Sequence, residues 1–260
     1  MLIAALDTAT LTLSCALCEV SARGVELLAE RTDHALAKPG PQGPTGGHGG
    51  RLPGALADVL AAAGRKLPEV EGYAVGLGPG SFTGLRIGLA TWKGLAYANR
   101  RPIAGASSLA AMAAAAGAAG EGARAVLVPL LDAKKGEVYA GFYRAGEDGR
   151  VEAVAPEAAL PPEALAARVA KLAAEGATPL AFGDGLGAYP DALAGVPRLD
   201  GAPGVPTAFA VARLCAPALL GAPYDAEQLF ALEPHYIRPS EAELKFPHGL
   251  GPGANPKPGL

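Results

Sequence analysis

Cysteine is scarce in this 260-residue chain, and its three copies, Cys15, Cys18 and Cys215, are odd in number and lie in apolar stretches. Cys15 and Cys18 have the spacing of a zinc or redox pair. Inside a predicted strand, however, a spacing of three sends the two side chains to opposite faces, which leaves them the role of small core hydrophobes. Excess positive charge is also missing. A formal net charge of -3 and a sequence pI near 5.8 provide no global basic field, so the chain is not expected to hold RNA or DNA mainly by itself. Long apolar runs are absent too: Gly, Pro or charge interrupts every Ala-rich stretch, which excludes a bilayer-spanning helix. Met1 to Leu6 carries no basic leader and runs directly into Asp7. It reads as a first strand rather than a signal peptide, and the expected location is cytoplasmic.

What the chain has in abundance is glycine in an unusual place. The run Gly76-Leu-Gly-Pro-Gly-Ser-Phe-Thr-Gly-Leu-Arg-Ile-Gly88 leads into Leu89 to Ala98, a segment that should open and continue a helix. Each Gly inside a helix costs roughly 0.8–1 kcal/mol relative to Ala, so Gly84, Gly88 and Gly94 call for an offsetting close approach. Val75 closes a predicted buried strand, Gly78-Pro79-Gly80 makes a tight turn, and Ser81 or Thr83 is placed to cap the helix. A glycine loop before a helix N-terminus can present N–H groups to a phosphate. A nucleotide P-loop nevertheless needs Lys and then Ser or Thr after its last glycine, whereas Leu85 and Arg86 follow Gly84.

Along the predicted helix, Gly84, Gly88, Thr91, Gly94 or Leu95, and Ala98 recur at intervals of three and four and form one stripe of small residues. Such a stripe admits a close partner, either a helix of the same chain or one of another subunit. Arg86 and Lys93, seven apart, share a face directed at solvent or at an acidic partner.

Two halves of the chain follow one plan. Leu2 to Leu6 ends in Asp7 and is followed by a second strand, Leu11 to Val20. Val126 to Leu131 ends in Asp132 and is followed by a Lys134-Lys135-Gly136 turn and a strand from Val138 to Tyr143. Each half later carries a strand and a glycine loop, Tyr73 to Gly80 and Leu180 to Gly187. This duplication points to an α/β, two-lobed actin-like or sugar-kinase-like (ASKHA, ribonuclease H-like) fold with a cleft between the lobes. The predicted division is 1–108 for the N-terminal lobe and 109–238 for the C-terminal lobe, with room for its last helix to return to the first. Residues 239–260 form a tail. Helices are predicted at Leu52 to Ala63, up to Ala98, Ser107 to Ala119, Pro162 to Ala174 and Thr207 to Leu219, with Ser107 and Thr207 as N-caps. The Gly/Pro-rich segment Lys38 to Gly50 reads as a mobile loop, and Phe246 to Leu260 as a poorly ordered end. Asp7 and Asp132 then have two readings: magnesium or nucleotide positions at the cleft, or acids that cap a turn.

The sequence Gly78 to Gly88 with Lys93-Gly-Leu-Ala96 resembles the signature of the bacterial TsaB (YeaZ) family. Leu6-Asp-Thr-Ala-Thr10, His48 with Arg51-Leu-Pro53, Asp132 to Tyr139, Gly183-Asp-Gly185 and Glu233-Pro-His-Tyr-Ile-Arg238 agree with it. The resemblance implies a non-catalytic subunit of the assembly that adds a threonylcarbamoyl group to adenosine 37 of tRNAs reading codons that begin with A. Its partners would be the transferase TsaD and the ATPase TsaE, with a homodimer when alone and tRNA reached only through the complex. It also implies an interface on the first two helices, here Leu52, Leu56, Val59, Leu60, Thr83, Gly84, Ile87, Gly88, Thr91 and Leu95. A vestigial nucleotide cleft would comprise Asp7, Thr8, Thr10, Gly78, Gly80, Ser81, Asp132, Gly183, Asp184 and Gly185.

No cofactor is expected, with ATP and Mg bound weakly or only at the level of the complex. Asp132 is followed by Ala, Lys and Lys where a kinase of this architecture has a glycine-rich phosphate turn. No metal is expected either, since His34, His48, His235 and His248 lack the one-turn spacing of the transferase paralogue's metal pair; the same lack weighs against a metallopeptidase. The alternative reading is an actin-like ATPase or kinase that uses Asp7 and Asp132 with Mg. The chain departs from the family pattern at Lys38 to Gly50 and at Gly49-Gly50 after His48.

Overall fold

A computed structural model describes residues 1–34, 48–117, 125–146 and 150–238. The tail 239–260 and all but the last three residues of the 38–50 segment lie outside the described residues.

The first sheet begins with β1 (Leu2–Asp7), β2 (Thr12–Ser21) and β3 (Gly24–His34), an antiparallel meander. Helix α1 (His48–Ala62) crosses to β4 (Gly72–Gly76), which lies parallel to β1, and α2 (Phe82–Asn99) crosses to β5 (Ile103–Ala106). The strand order is β3-β2-β1-β4-β5. After α3 (Ser108–Gly117) the second sheet repeats the plan with β6 (Ala125–Lys134), β7 (Glu137–Ala145), β8 (Val151–Leu160), α4 (Pro162–Ala174) and β9 (Thr178–Phe182), in the order β8-β7-β6-β9. β9 again runs parallel to the strand that opens its half, and a single bridge from Ala181 to Arg198 stands where a fifth strand would pair. This is the duplicated, ribonuclease H-like arrangement that the two halves of the sequence imply. The helices α5 (Gly185–Ala188), α6 (Ala208–Leu219) and α7 (Ala226–Ala231) complete the elements of the described residues.

Side-chain alternation decides what covers each sheet. In β1, Leu2, Ala4 and Leu6 meet Leu52, Leu56, Val59 and Trp92 of α1 and α2, while Ile3 and Ala5 meet Val211, Cys215 and Leu219 of α6. Cys15 and Cys18 obey the same rule, one in each layer, fully buried; burial pushes both thiols up to about 12. In β6, Val126, Val128 and Leu130 face α4, whereas Leu127, Leu131 and Ala133 face α3. The helices are thus exchanged across the halves: α3, which follows the first sheet, packs on the second, and α6, near the end of the chain, returns to the first. The sole Trp, Trp92, is buried edge-on to Tyr73 and donates from Nε1 to Ala4 O at 3.1 Å. Ser107, Ser81 and Thr207 cap their helices as their positions predict, each accepting backbone N–H bonds.

Candidate functional site

The glycines of the loop and of α2 do have a close neighbour, and it belongs to the same chain. A Cβ built on Gly84 would overlap the carbonyl oxygen of Thr8, one on Gly88 the Thr8 hydroxyl, and one on Gly80 the carbonyl of Ala9. The β1–β2 turn is pressed into α2, with Thr8 Oγ1 donating to Gly84 O at 2.9 Å. The same turn consumes a donor that a phosphate would need, because Ser81 N–H goes to Ala9 O at 2.6 Å. Gly78 N–H is taken by Ser108 Oγ and Gly84 N–H by the Ser81 hydroxyl. The loop is therefore occupied by its own fold rather than shaped as an anion cradle. Gly94 is the exception: nothing lies within 4 Å of the position its Cβ would take.

This corrects the expected pairing set. Gly84 and Gly88 are buried beneath the β1–β2 turn, and Leu52, Leu56, Val59 and Leu60 are core residues. Of the residues expected at a subunit contact, Thr83 is exposed and Ile87, Thr91 and Leu95 are half-buried. Arg86 and Lys93 are not spent on solvent either. Arg86 Nε donates to the Tyr236 hydroxyl at 2.9 Å and Lys93 Nζ to Phe230 O at 3.0 Å, so each fastens the C-terminal segment to α2.

Asp7 closes β1 on the face shared with Ile3 and Ala5, and it points into the protein. One carboxylate oxygen accepts the Ser108 hydroxyl at 2.6 Å, the other the Ala9 N–H at 2.8 Å, and a Cβ on Gly76 would overlap it. Full burial raises its carboxyl to about 6 against an ordinary 3.8, although both hydrogen bonds pull downward. Asp132, its counterpart at the end of β6, is only half-buried. It ties down its own hairpin, accepting from Lys134 N at 2.8 Å and pairing with Lys134 Nζ at 2.5 Å, a bond that raises the Lys134 ammonium. Asp184 accepts the Asp132 N–H at 3.0 Å; its carboxyl stays exposed to the cleft, and partial desolvation by its neighbours raises it above the usual range.

Between the lobes lies a cleft of about 620 Å³. Its walls are the β1–β2 turn, the glycine loop, the β6–β7 hairpin, Asp184 and the segment His235–Arg238. Thr10, Gly80, Ser81, Asp132 and Asp184 line it. Asp7, Thr8, Gly78, Gly183 and Gly185 do not. Thr8 is fully buried under α2, while Gly78 (φ +95) and Gly183 (φ +112) serve backbone turns, where a Cβ would strike Leu85 and Leu130 respectively.

The residues that sequence reasoning left without a role are those of the C-terminal segment. His235 N–H donates to Leu77 O of the first lobe at 2.7 Å, and Arg238 donates to Glu137 Oε2 and Ala133 O of the second at 2.8 and 3.0 Å. Glu157, buried on β8, accepts hydroxyls from Ser107 and Tyr143 on Oε1; its Oε2 makes no hydrogen bond but has His235 Nδ1 at 3.2 Å. The run Glu233 to Arg238 was the available signal for this strap between the lobes.

Comparison with known proteins places this architecture. The family described as TsaD, tRNA N6-adenosine threonylcarbamoyltransferase, matches residues 18–190. The tRNA threonylcarbamoyladenosine biosynthesis protein TsaB of Escherichia coli is 38% identical over 144 residues, 55% of this chain and 60% of the E. coli protein, less than two thirds of its length. The protein of the same name from Bacillus subtilis is 31% identical over 179 residues, 68% of this chain and 74% of that protein. The solved structure of YeaZ from Pseudomonas aeruginosa superposes with a TM-score of 0.65 at 31% identity, covering 88% of this chain and 98% of that one. With the duplicated fold, the glycine loop pressed on the β1–β2 turn and these relatives in agreement, the chain belongs to the TsaB (YeaZ) family.

Proposed function

We propose that the chain is a non-catalytic scaffold subunit of the assembly that adds a threonylcarbamoyl group to adenosine 37 of tRNAs reading codons that begin with A. In this reading it pairs with the transferase TsaD and the ATPase TsaE, pairs with itself when alone, and works in the cytoplasm. Its relatives carry the name of that biosynthesis. The observation that carries the absence of chemistry is the burial of Asp7. An acid sealed between Ser108 and Ala9 is unavailable to a magnesium ion in the cleft, and the remaining cleft acids, Asp132 and Asp184, are engaged with Lys134 and with the Asp132 backbone. An ATPase or kinase using Asp7 and Asp132 with Mg would need both acids at one wall.

Pairing is assigned to the outer faces of α1 and α2. There Gly54, Ala57 and Ala61 of α1 and Thr83, Ala90 and Gly94 of α2 are exposed, and Ile87, Thr91 and Leu95 are half-buried between them. Small exposed residues on two neighbouring helices allow a partner's helices to approach closely. Gly94 and Gly54 have open space at Cβ, so arginine there tests docking without disturbing the fold. The test is reconstitution of the tRNA modification from purified TsaD, TsaE and this chain. Modification should require the chain, the chain alone should turn over no ATP, and Gly94→Arg should lose co-elution with TsaD while melting no lower than the parent. ATP turnover by the isolated chain that disappears in Asp132→Asn would overturn the scaffold reading.

A further inference from the structure

Between Glu71 and Glu121 the sequence contains no acid, and every cation of that stretch, Arg86, Lys93, Arg100 and Arg101, belongs to α2 or to the two residues after it. The fold adds a second feature to the same place. Four aromatic side chains are exposed among the described residues, and all four stand along one flank of α2: Phe82 and Tyr97 on the helix itself, Phe230 and Tyr236 on α7 and the strap docked beside it. Phe230 and Tyr97 are the most open, at 63% and 57% of their surface, and pair with ring centroids 5.8 Å apart. Phe82 and Tyr236 pair at 5.0 Å, with the Arg86 guanidinium 3.8 Å above the Phe82 ring.

Helical geometry puts Phe82, Arg86, Lys93 and Tyr97 within about 60° of one another around the axis, over a length of about 22 Å. Rings and cations therefore alternate along a single track, and Arg100 continues it at the end of the helix. Asp225, the N-cap of α7, and Glu227 in its first turn flank the track, and Asp225 is spent accepting the Glu227 and Gln228 N–H groups.

We infer that this flank is a contact surface for single-stranded RNA, of the kind found in a stem–loop. Exposed rings offer faces on which any base can stack, and the intervening Arg and Lys lie where the phosphates between stacked bases would run. Rings and arginine are enriched at protein interfaces as well; what suits a polyanion of stacked bases is the alternation of rings with cations along a helix that carries no acid of its own. The negative net charge limits this to a local field, so the contact adds to binding provided elsewhere in an assembly. The inference rests on the scaffold reading only in choosing RNA as the occupant, and it uses a different flank of α2 from the one assigned to pairing.

The experiment is fluorescence anisotropy of a labelled RNA stem–loop with the full-length chain, and with Tyr97→Ala, Phe230→Ala and Lys93→Gln variants whose melting temperatures are checked first. Binding should be detectable near 50 mM salt. Loss of either ring should weaken it roughly five- to a hundred-fold, and Lys93→Gln should lower the slope of log affinity against log salt by about 0.7. Co-elution of the ring variants with TsaD should be unchanged, which separates failure here from failure of the scaffold reading. Absent binding, equal affinity of parent and variants, or a ring-dependent affinity for poly-glutamate with none for RNA would each overturn the inference, the last by assigning the surface to an acidic protein.

Discussion

The two lobes open with the same device, a strand with an aspartate at or near its end, and they have put it to opposite uses. In the first lobe the turn after Asp7 is driven inward: Thr8 and Ala9 lean on glycines 80, 84 and 88, and the carboxylate is sealed behind Ser108. In the second, Asp132 stays at the cleft wall and holds Lys134 in a left-handed backbone conformation (φ +59), beside Lys135 (φ +57) and Gly136 (φ +81). What differs is the helix behind each turn. A full 18-residue helix follows the first glycine loop, and only the four-residue α5 follows the second, so the first turn has a surface to pack on and the second does not. One duplicated motif has become a structural joint on one side and a cleft edge on the other.

The comparison can be broken most severely at the joint. Replacing Gly88 by Leu would drive a side chain into Thr8 and Leu6, and because the obstruction includes the β1–β2 turn itself the cost should exceed about 3 kcal/mol. The expected result is loss of soluble protein, or a melting temperature lowered by well over 10 °C. Gly94→Leu, six residues further along, should instead stabilise by up to about 1 kcal/mol, since its Cβ meets open space and glycine is the poorer helix former. Equal effects at the two glycines would contradict the packing described above.

The acids themselves should rank next. Asp7→Ala leaves the Ser108 hydroxyl and the Ala9 N–H unpaired in the interior and should cost about 2–4 kcal/mol in urea denaturation. Asp132→Ala removes a half-buried pair with an exposed lysine and should cost less than about 1 kcal/mol.

A finer test uses pH. The Asp7 carboxyl is held near 6 in the folded protein against about 3.8 when unfolded, so between those values the folded state retains a proton that the unfolded state has released. Stability from this group is therefore fully present below about pH 4, declines as pH rises toward 6, and is flat above. The loss amounts to about 3 kcal/mol for a shift near two units. Asp7→Asn, which keeps the shape and stays neutral, should abolish that slope; an unaltered pH profile of unfolding would contradict the buried carboxyl. At the strap, Arg238→Ala removes two hydrogen bonds to the second lobe and should destabilise by about 1–2 kcal/mol, between the effects at Asp7 and Asp132, while speeding amide exchange in Leu232 to Ile237.

Much of this fold was legible from local pattern. Helix α4 begins and ends at the predicted Pro162 and Ala174, and α2, α6 and the start of α3 fall within a residue or two of their predicted positions, because caps and apolar periodicity act over a few residues; the predicted end of α3 at Ala119 lies outside the described residues. Strands β3 and β8 were not anticipated. Both are edge strands rich in charge and alanine, Gly24–His34 with exposed polar residues and Val151–Leu160 with Pro156, and their order comes from pairing with a neighbour rather than from their own sequence.

The sequence by itself determined that the chain is duplicated, that each half opens with a strand and an acid, and that glycines sit in α2 where something must come close. Those features are written in composition and period, which require no knowledge of the partner. Only the tertiary structure decided what comes close: the chain's own Thr8 and Ala9 at Gly80, Gly84 and Gly88, and nothing at Gly94. Tertiary structure also chose which acid faces the cleft and brought Phe230 and Tyr236 alongside Phe82 and Tyr97. A small residue records that space is needed, but the identity of the neighbour depends on contacts between residues far apart in the chain, 76 positions for Thr8 and Gly84, and these arise only when the sheets and helices have packed.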